Sequence, residues 1–219
     1  MIRRALGAAA VAVVVGSVAA GAAQAAPIDR SDEGSETVSN DARFVVKWVR
    51  ATRDNAGRPF AIVDKKNALL FLYSGEAQLL GVSAVLLGMG RGDHTVPGVG
   101  DLPPARIPPA ARTTPAGRFA SEPGRNLDGE AVVWFDYDAG LAIHRLRDDA
   151  VRSARLQRLQ SNLPGAQRVS AGCVVVPVAF YETGIEPVLG RRRGVMFRGK
   201  SAPVVVFTVT AGGALPASG

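Results

Sequence analysis

The chain contains one cysteine, Cys173, in the segment Ser170-Ala171-Gly172-Cys173-Val174. A cysteine attacks as the thiolate, and an ordinary thiol is mostly protonated at neutral pH, so a nucleophilic cysteine needs a base nearby. A lone cysteine in an exported protein is either reactive or paired with another molecule. The alternative is a buried cysteine that packs as a small hydrophobic residue, and the flanking valines favour it.

Histidine is the side chain best suited to accept that proton near neutral pH, and the chain has two, His94 and His144. His144 ends an apolar strand pattern that starts at Gly140, which favours a rigid side chain, and we predict that it is the base of Cys173. A catalytic Cys173 is then expected to titrate below an ordinary thiol. His94 lies in a loop rich in glycine and proline, where a solvated side chain and a role in substrate binding both remain open.

The residues before the cysteine are candidates for holding the substrate. Gly172 lets the backbone turn tightly, and we expect its amide to approach a substrate oxygen. Ser170 is interpreted as structural or as a hydrogen-bond donor to substrate. Two histidines far apart in sequence make no ligand set, so we predict neither a metal nor a cofactor.

The elements that would position these residues predict a mainly β fold with a few helices in a single domain. A helix is predicted from Asn40 or Asp41 to Arg50, with Phe44, Val45, Trp48 and Val49 on its apolar face. A second helix is predicted from Asp148 to Leu163, and Pro177 opens a third. The strands are predicted at 60–64, 68–73, 77–87, 117–121, 131–136, 140–144, 169–176 and 203–210. The connection from Gly88 to Arg112 is long and rich in glycine and proline, which is typical of a functional or mobile loop.

The first residues are predicted to be a signal peptide at 1–25. Arg3 and Arg4 precede an uncharged run rich in alanine, and Ala23-Gln24-Ala25 matches a cleavage site. The alternative is a retained anchor, but the run is short for a bilayer crossing. We therefore expect an exported protein of the periplasm or cell envelope, with no stable membrane span after cleavage.

The net charge of the chain indicates which kinds of binding partner are favoured. Without Arg3 and Arg4, the 26 Lys and Arg become 24 against 19 Asp and Glu, a net charge of +5. That excess suits an anionic partner such as an acidic envelope polymer or a lipid headgroup, and it equally suits solubility. The basic residues are dispersed apart from Arg191–Arg193, so no nucleic-acid partner is predicted.

Three segments taken in order resemble the L,D-transpeptidase family. They are Thr114-Pro115 with Gly117, then Ile143-His144, then Ser170 with Gly172-Cys173. The resemblance covers roughly residues 60–210 and implies a β-sandwich of mixed sheets. The expected organisation is a signal peptide at 1–25, a lead-in and short helix at 26–59, a catalytic domain at 60–210 and a flexible tail at 211–219.

The resemblance implies a reaction on peptidoglycan stem peptides by a monomer. Cys173 would attack the carbonyl that joins the third stem residue to the terminal D-alanine, and His144 would act as base. The resulting thioester would pass to an amine, giving a 3→3 crosslink or D-amino-acid exchange. Gly172, Ser170, Arg145 and Ala171 would line the substrate and oxyanion region.

This chain departs from the family pattern at three positions and in one length. Arg145 stands where a small residue is common, and the segment from His144 to Cys173 is long, which we interpret as an inserted helix. Ala171 replaces the usual histidine before the glycine, and Val175 stands where arginine or asparagine is usual. Two further functions therefore stay open: an envelope-binding module of the same fold with weak or no activity, and a carboxypeptidase that resolves the thioester with water.

Overall fold

The computed structural model describes residues 38–191 and 204–209, which form ten strands and three helical segments with short 3-10 turns between them. The strands are β1 Phe60–Asp64, β2 Leu69–Tyr73, β3 Leu79–Ala84, β4 Leu87–Gly88, β5 Gly117–Arg125, β6 Ala131–Asp136, β7 Leu141–Arg145, β8 Arg168–Ser170, β9 Val174–Val176 and β10 Val204–Val209. The helices are α1 Asn40–Thr52 and α2 Arg152–Leu159. A third helical segment, α3, runs through Val178–Phe180, a π-helical turn Tyr181–Ile185 and Glu186–Val188.

Eight strands form one mixed sheet in the order β3-β2-β1-β10-β5-β6-β7-β9, and β4 pairs with β8 in a small parallel sheet. The long strand β5 pairs with β10 through its first five residues and with β6 through its last four. Val63 and Leu70 in one half of this sheet share a buried cluster with Val133 and Ile143 in the other half. The two halves therefore enclose one core, as in a sandwich, and the prediction of a mainly β fold with mixed sheets is confirmed.

Helix α1 packs on the outer face of β1 and β2. The buried residues of α1 recur at helical spacing and form one stripe, which packs against Phe60, Ile62 and Phe71. These helix residues are Ala42, Val45, Val46 and Val49. The predicted apolar face was therefore wrong for Phe44 and Trp48, which are 54% and 44% exposed and stack on each other. They lie more than a third of a turn, about 130°, from the centre of the buried stripe.

One buried carboxylate ties α1 to the β1–β2 turn. Asp64 is fully buried and accepts hydrogen bonds from the Ser39 amide at 2.9 Å, the Lys66 amide at 3.1 Å and the Asn67 side chain at 3.0 Å. Ser39 is also the N-cap of α1, since its hydroxyl accepts from the Ala42 amide at 3.2 Å. The predicted cap at Asn40 or Asp41 was one or two residues late, because the cap side chain belongs to the residue before the helix.

Several predicted strands and one predicted helix begin or end at other residues in the structure. The strand predicted at 77–87 is divided into β3 and β4, and the strand predicted at 169–176 is divided into β8 and β9, with Cys173 in the connection. The helix predicted from Asp148 to Leu163 is limited to Arg152–Leu159, and Asp149 caps the preceding turn through the Val151 amide. The loop from 89 to 112 contains three 3-10 turns.

The predicted signal peptide at 1–25 and the predicted tail at 211–219 lie outside the described residues. Among the residues that the structure describes, no helix is long and apolar enough to cross a membrane.

We expect Asp64→Ala to lower the free energy of unfolding by about 2–4 kcal/mol, because several buried donors lose a charged acceptor. Urea denaturation measures the change. Asp148→Ala is the matched control, since the Asp148 side chain is 90% exposed and pairs only at 3.4 Å with Arg152 at the start of α2. An equal effect of the two substitutions would contradict the anchoring role of Asp64.

Candidate active site

Parallel pairing of β7 with β9 places Cys173 and His144 on neighbouring strands. His144 lies opposite Val175, and Ile143 lies opposite Val174. The same register carried one residue back sets Cys173 beside Ala142, and the Ala142 amide faces the Cys173 sulfur. Cys173 therefore stands two register positions from His144, roughly 7 Å along the strand direction. The Cys173 side chain packs against the core cluster that includes Leu141 and Ile143, and the thiol lies 3.8 Å from the carbonyl oxygen of Gly140.

The turn before Cys173 requires glycine. Gly172 has a φ of +129°, and a Cβ at this position would lie 2.7 Å from Leu141 Cδ2 and 2.8 Å from the carbonyl oxygen of Thr113. Any side chain would therefore collide with backbone as well as adopt a rare conformation. This turn interrupts the valine-rich run and leaves Cys173 half-buried at the start of β9.

The Ser170 hydroxyl holds the turn from inside. Ser170 Oγ accepts a hydrogen bond from the Gly172 amide at 3.1 Å and donates to the carbonyl oxygen of Cys173 at 2.6 Å. These contacts use its one hydrogen and one of its lone pairs, so Ser170 supports the loop in this structure. They also engage the Gly172 amide, which the sequence had predicted to approach a substrate oxygen.

Thr114 fixes the same loop from outside. This buried residue donates from Oγ1 to the carbonyl oxygen of Gly172 at 2.8 Å and accepts from the Gly88 amide at 2.8 Å. The Thr-Pro-x-Gly segment therefore connects β4 to the cysteine loop through one hydroxyl. The sequence carried the motif but gave no sign of which backbone groups Thr114 contacts.

His144 is held in one tautomer. Its Nδ1 lies 2.8 Å from the carbonyl oxygen of Arg145, which can only accept, so Nδ1 carries the proton and Nε2 is left as the acceptor. Burial lowers the pKa of His144 to about 4; the Arg145 carbonyl opposes this shift, and the Arg147 charge adds to it. The imidazole is therefore neutral at physiological pH.

Burial also raises the pKa of the Cys173 thiol, against the amides of Ala142 and Cys173 and the charge of Arg147, which favour the thiolate. The expected lowering of this pKa is not found, because the low polarity around the sulfur outweighs its donors. The resting pair is a neutral thiol and a neutral imidazole.

A charge cluster beside the pair was missed by the sequence interpretation. Arg147 lies 3.3 Å from Glu130 and 3.6 Å from Asp128, and Arg145 lies 3.7 Å from Glu130. Arg147 acts on both the thiol and the imidazole. The signal available in the sequence was the pair of arginines at 145 and 147 directly after His144. Arg145 contacts the site through its backbone carbonyl, and its guanidinium pairs with Glu130.

Ala171 and Val175, on either side of Gly172-Cys173, have different surroundings. Ala171 is half-buried in the turn between β8 and Cys173. Val175 is buried, 5% exposed, in a cluster with Leu86, Leu146 and Leu159, the last of which comes from α2. Position 175 is therefore covered by an apolar cluster to which α2 contributes.

The long loop lies against the same end of the sheet, whereas His94 does not join the site. His94 is exposed. Gly100 packs so closely against the Asp138 backbone that a Cβ would overlap it, and Asp138 belongs to the turn that ends at Gly140. No group of three His, Cys, Asp or Glu side chains that could hold a metal occurs among the described residues.

Comparison with solved structures identifies L,D-transpeptidase catalytic domains. The L,D-transpeptidase from Xylanimonas cellulosilytica is 15% identical over 69% of this chain and 60% of that chain, with a TM-score of 0.38. The L,D-transpeptidase from Mycobacterium smegmatis is 13% identical over 70% of this chain and 59% of that chain, with a TM-score of 0.38. The helical cell shape determining protein Pgp2 from Campylobacter jejuni is 17% identical over 69% of this chain and 47% of that chain, with a TM-score of 0.43.

The fold is similar to that of L,D-transpeptidases. At these identities and TM-scores the similarity concerns the fold alone. The chain spans between 47% and 60% of the length of these three structures. No protein-family model and no curated protein matches the sequence.

We expect Thr114→Val to lower the free energy of unfolding by about 2–3 kcal/mol, because the buried Gly88 amide loses its acceptor while the side-chain shape is kept. Thr183→Val is the matched control, since the exposed Thr183 hydroxyl donates to the Ala179 carbonyl within α3. Equal denaturation midpoints for both variants would contradict the bridging role of Thr114.

Alkylation of Cys173 by iodoacetamide is expected to show an inflection at higher pH than in the urea-unfolded chain, because burial raises the pKa of this thiol. Cys173 is the single cysteine, so the modification needs no site assignment. Rates are measured by mass spectrometry from pH 6 to 10. An inflection below that of the unfolded chain would indicate a preformed thiolate–imidazolium pair.

Proposed function

We propose that this chain is an exported cysteine L,D-transpeptidase with Cys173 as nucleophile and His144 as its base. The observation that supports the proposal is the position of Cys173 on the strand next to His144, two register steps away, with the imidazole in the tautomer that leaves Nε2 as acceptor. The substrate class follows from the ordered Thr-Pro-x-Gly, Ile-His and Ser-x-Gly-Cys segments.

In the first half-reaction, His144 Nε2 takes the proton of the thiol as sulfur attacks the carbonyl of the third stem-peptide residue. The bond from that carbonyl to the nitrogen of the terminal D-alanine breaks, and His144 returns the proton to the leaving amine. A thioester remains on Cys173. A neutral imidazole is the form this step needs, and the low pKa of His144 keeps it neutral.

In the second half-reaction, an amine attacks the thioester carbonyl and gives a proton to His144. The bond from the carbonyl to sulfur breaks, and His144 passes the proton to the leaving thiolate. An amine from another stem gives a 3→3 crosslink, and a free D-amino acid gives exchange. Water in place of the amine would give a trimmed stem, which is the carboxypeptidase alternative.

The charge that develops on the carbonyl oxygen needs donors. The Gly172 amide already donates to Ser170, so we assign the stronger role to the amide of Cys173, which faces its own sulfur. Arg147 supplies a positive charge that favours the thiolate. The side chains of Ser170 and Ala171 then shape the turn, and Arg145 orients His144.

The proposed setting is the periplasm or cell envelope, with the chain acting as a monomer on peptidoglycan stem peptides. It rests on the predicted signal peptide and on the substrate class.

Two observations favour a second candidate, a module of the same fold that binds peptidoglycan without turnover. The raised pKa of Cys173 and the burial of Val175 under α2 both suit a thiol that serves packing.

The two functions are separated by mass spectrometry of purified protein with tetrapeptide muropeptides, with and without a free D-amino acid. We expect dimers, exchanged stems or tripeptides that vanish in Cys173→Ala. We expect His144→Gln to slow product formation by roughly 10²–10⁴-fold, the usual contribution of a general base. His94→Gln is the matched control and should leave the rate unchanged.

Product formation that survives in Cys173→Ala would rule out the thioester route. A folded wild-type protein that binds muropeptides but yields no product would establish the binding module instead.

A further inference from the structure

A basic pocket lies between the β1–β2 turn, the loop at residues 91–93 and the start of β8. Its volume is about 330 Å³, and the backbone of residues 164–165 completes its rim. Since a water molecule takes up about 30 Å³ in the liquid, the pocket has room for a small anion together with some of its hydration. Its charged side chains are Lys65, Lys66, Arg91, Asp93 and Arg168.

The wall of this pocket carries four cations against one carboxylate. Lys65 Nζ lies 2.8 Å from Asp93 Oδ1 and donates to the carbonyl oxygen of Gly92 at 3.0 Å, and its side chain is only 2% exposed. The Lys66 side chain is half-exposed, and its Nζ lies 3.9 Å from Asp41 Oδ2, which is a long and partly solvated ion pair. Asp93 alone therefore offsets Lys65, Arg91 and Arg168 on the pocket wall.

The cations act on one another's ionisation. Burial lowers the pKa of Lys65, the paired Asp93 opposes this shift, and the Arg168 charge adds to it. Burial also lowers the pKa of Arg168, the Arg91 charge adds to that shift, and Asp93 opposes it. Neighbouring like charges repel one another, and Asp93 is the one carboxylate on the pocket wall that offsets them.

Arg168 is oriented by the fold and has an unused donor. Its Nη2 donates to the carbonyl oxygen of Lys65 at 3.0 Å, which fixes the guanidinium at the turn. Among the residues that the structure describes, its buried Nη1 has no hydrogen-bond partner. Buried donors are nearly always paired, so this group indicates an acceptor that the described part of the chain does not supply.

We propose that this pocket binds a phosphate group. A phosphate presents several acceptor oxygens and close to two negative charges, which matches two guanidinium groups and two ammonium groups better than a single carboxylate does. The inference is independent of the proposed function, because it uses neither Cys173 nor His144. The two sites share β8, since Arg168 begins the strand that ends at Ser170.

The experiment is calorimetric titration of the purified protein with inorganic phosphate in Tris buffer at constant ionic strength. We expect saturable binding with one phosphate per chain. Lys66→Gln and Arg91→Gln are substitutions of half-exposed and exposed side chains, and each is expected to weaken binding roughly tenfold, the effect of losing one hydrogen bond to a charged group. Arg106→Gln changes an exposed arginine outside the pocket and should leave affinity unchanged.

Circular dichroism and thermal melting of each variant confirm that it is folded. Absence of saturable binding by the folded wild-type protein would overturn the proposal. So would equal affinity of Arg91→Gln and Arg106→Gln, or an equal response to chloride at the same ionic strength.

The source of the phosphate is distinguished by a second arm with vesicles of phosphatidylglycerol, and with phosphatidylcholine as the uncharged comparison. Co-sedimentation with the anionic vesicles that is lost in Arg91→Gln and competed by inorganic phosphate would assign the pocket to a lipid headgroup. Binding of inorganic phosphate without co-sedimentation would assign it to a free phosphate or phosphate ester.

Discussion

The close passage of the chain at residues 112–114 between two glycines is the constraint on which the site depends. A Cβ at Gly88 would lie 2.4 Å from the carbonyl oxygen of Arg112, and a Cβ at Gly172 would lie 2.8 Å from that of Thr113. Both backbones can approach only because neither glycine has a side chain, and the Thr114 hydroxyl then bonds to each of them. Without this contact the cysteine turn would lose its outer support and Ser170 would hold it alone.

The charges around the pair explain why it is neutral at rest. Arg147 disfavours the imidazolium and favours the thiolate, while burial disfavours both ionised forms. Transfer of the thiol proton to His144 therefore costs free energy in the empty site, and it becomes favourable only as the sulfur forms a bond and the negative charge moves to the carbonyl oxygen. A site of this kind depends on the geometry of Nε2 and on the oxyanion donors more than on a stored thiolate.

Local patterns in the sequence predicted the parts of the fold that local physics determines. Strands β1 and β6 have the predicted ends, because each is a short apolar run bounded by a turn. The proposed pairing of Cys173 with His144 could be inferred only from motif order, since the two residues lie on neighbouring parallel strands that α2 separates in the chain. The division of the 169–176 run could not be predicted, because the backbone of Thr113, some sixty residues earlier, leaves no room for a Cβ at position 172. For the same reason the engagement of the Gly172 amide by Ser170 was not foreseen.

Packing of α2 explains why an apolar residue suits position 175. In the sequence, Val175 stands as the loss of a polar residue, but Leu159 of α2 packs on it together with Leu86 and Leu146. A polar or charged side chain there would lie under Leu159 without water, at a cost of several kcal/mol, on the order of 2–7 for an unpaired polar group. Helix α2 and Val175 therefore stabilise each other through this cluster. The same helix carries Arg155, whose charge adds to the lowering of the pKa of His144. Helix α2 thus both covers position 175 and contributes to keeping His144 neutral.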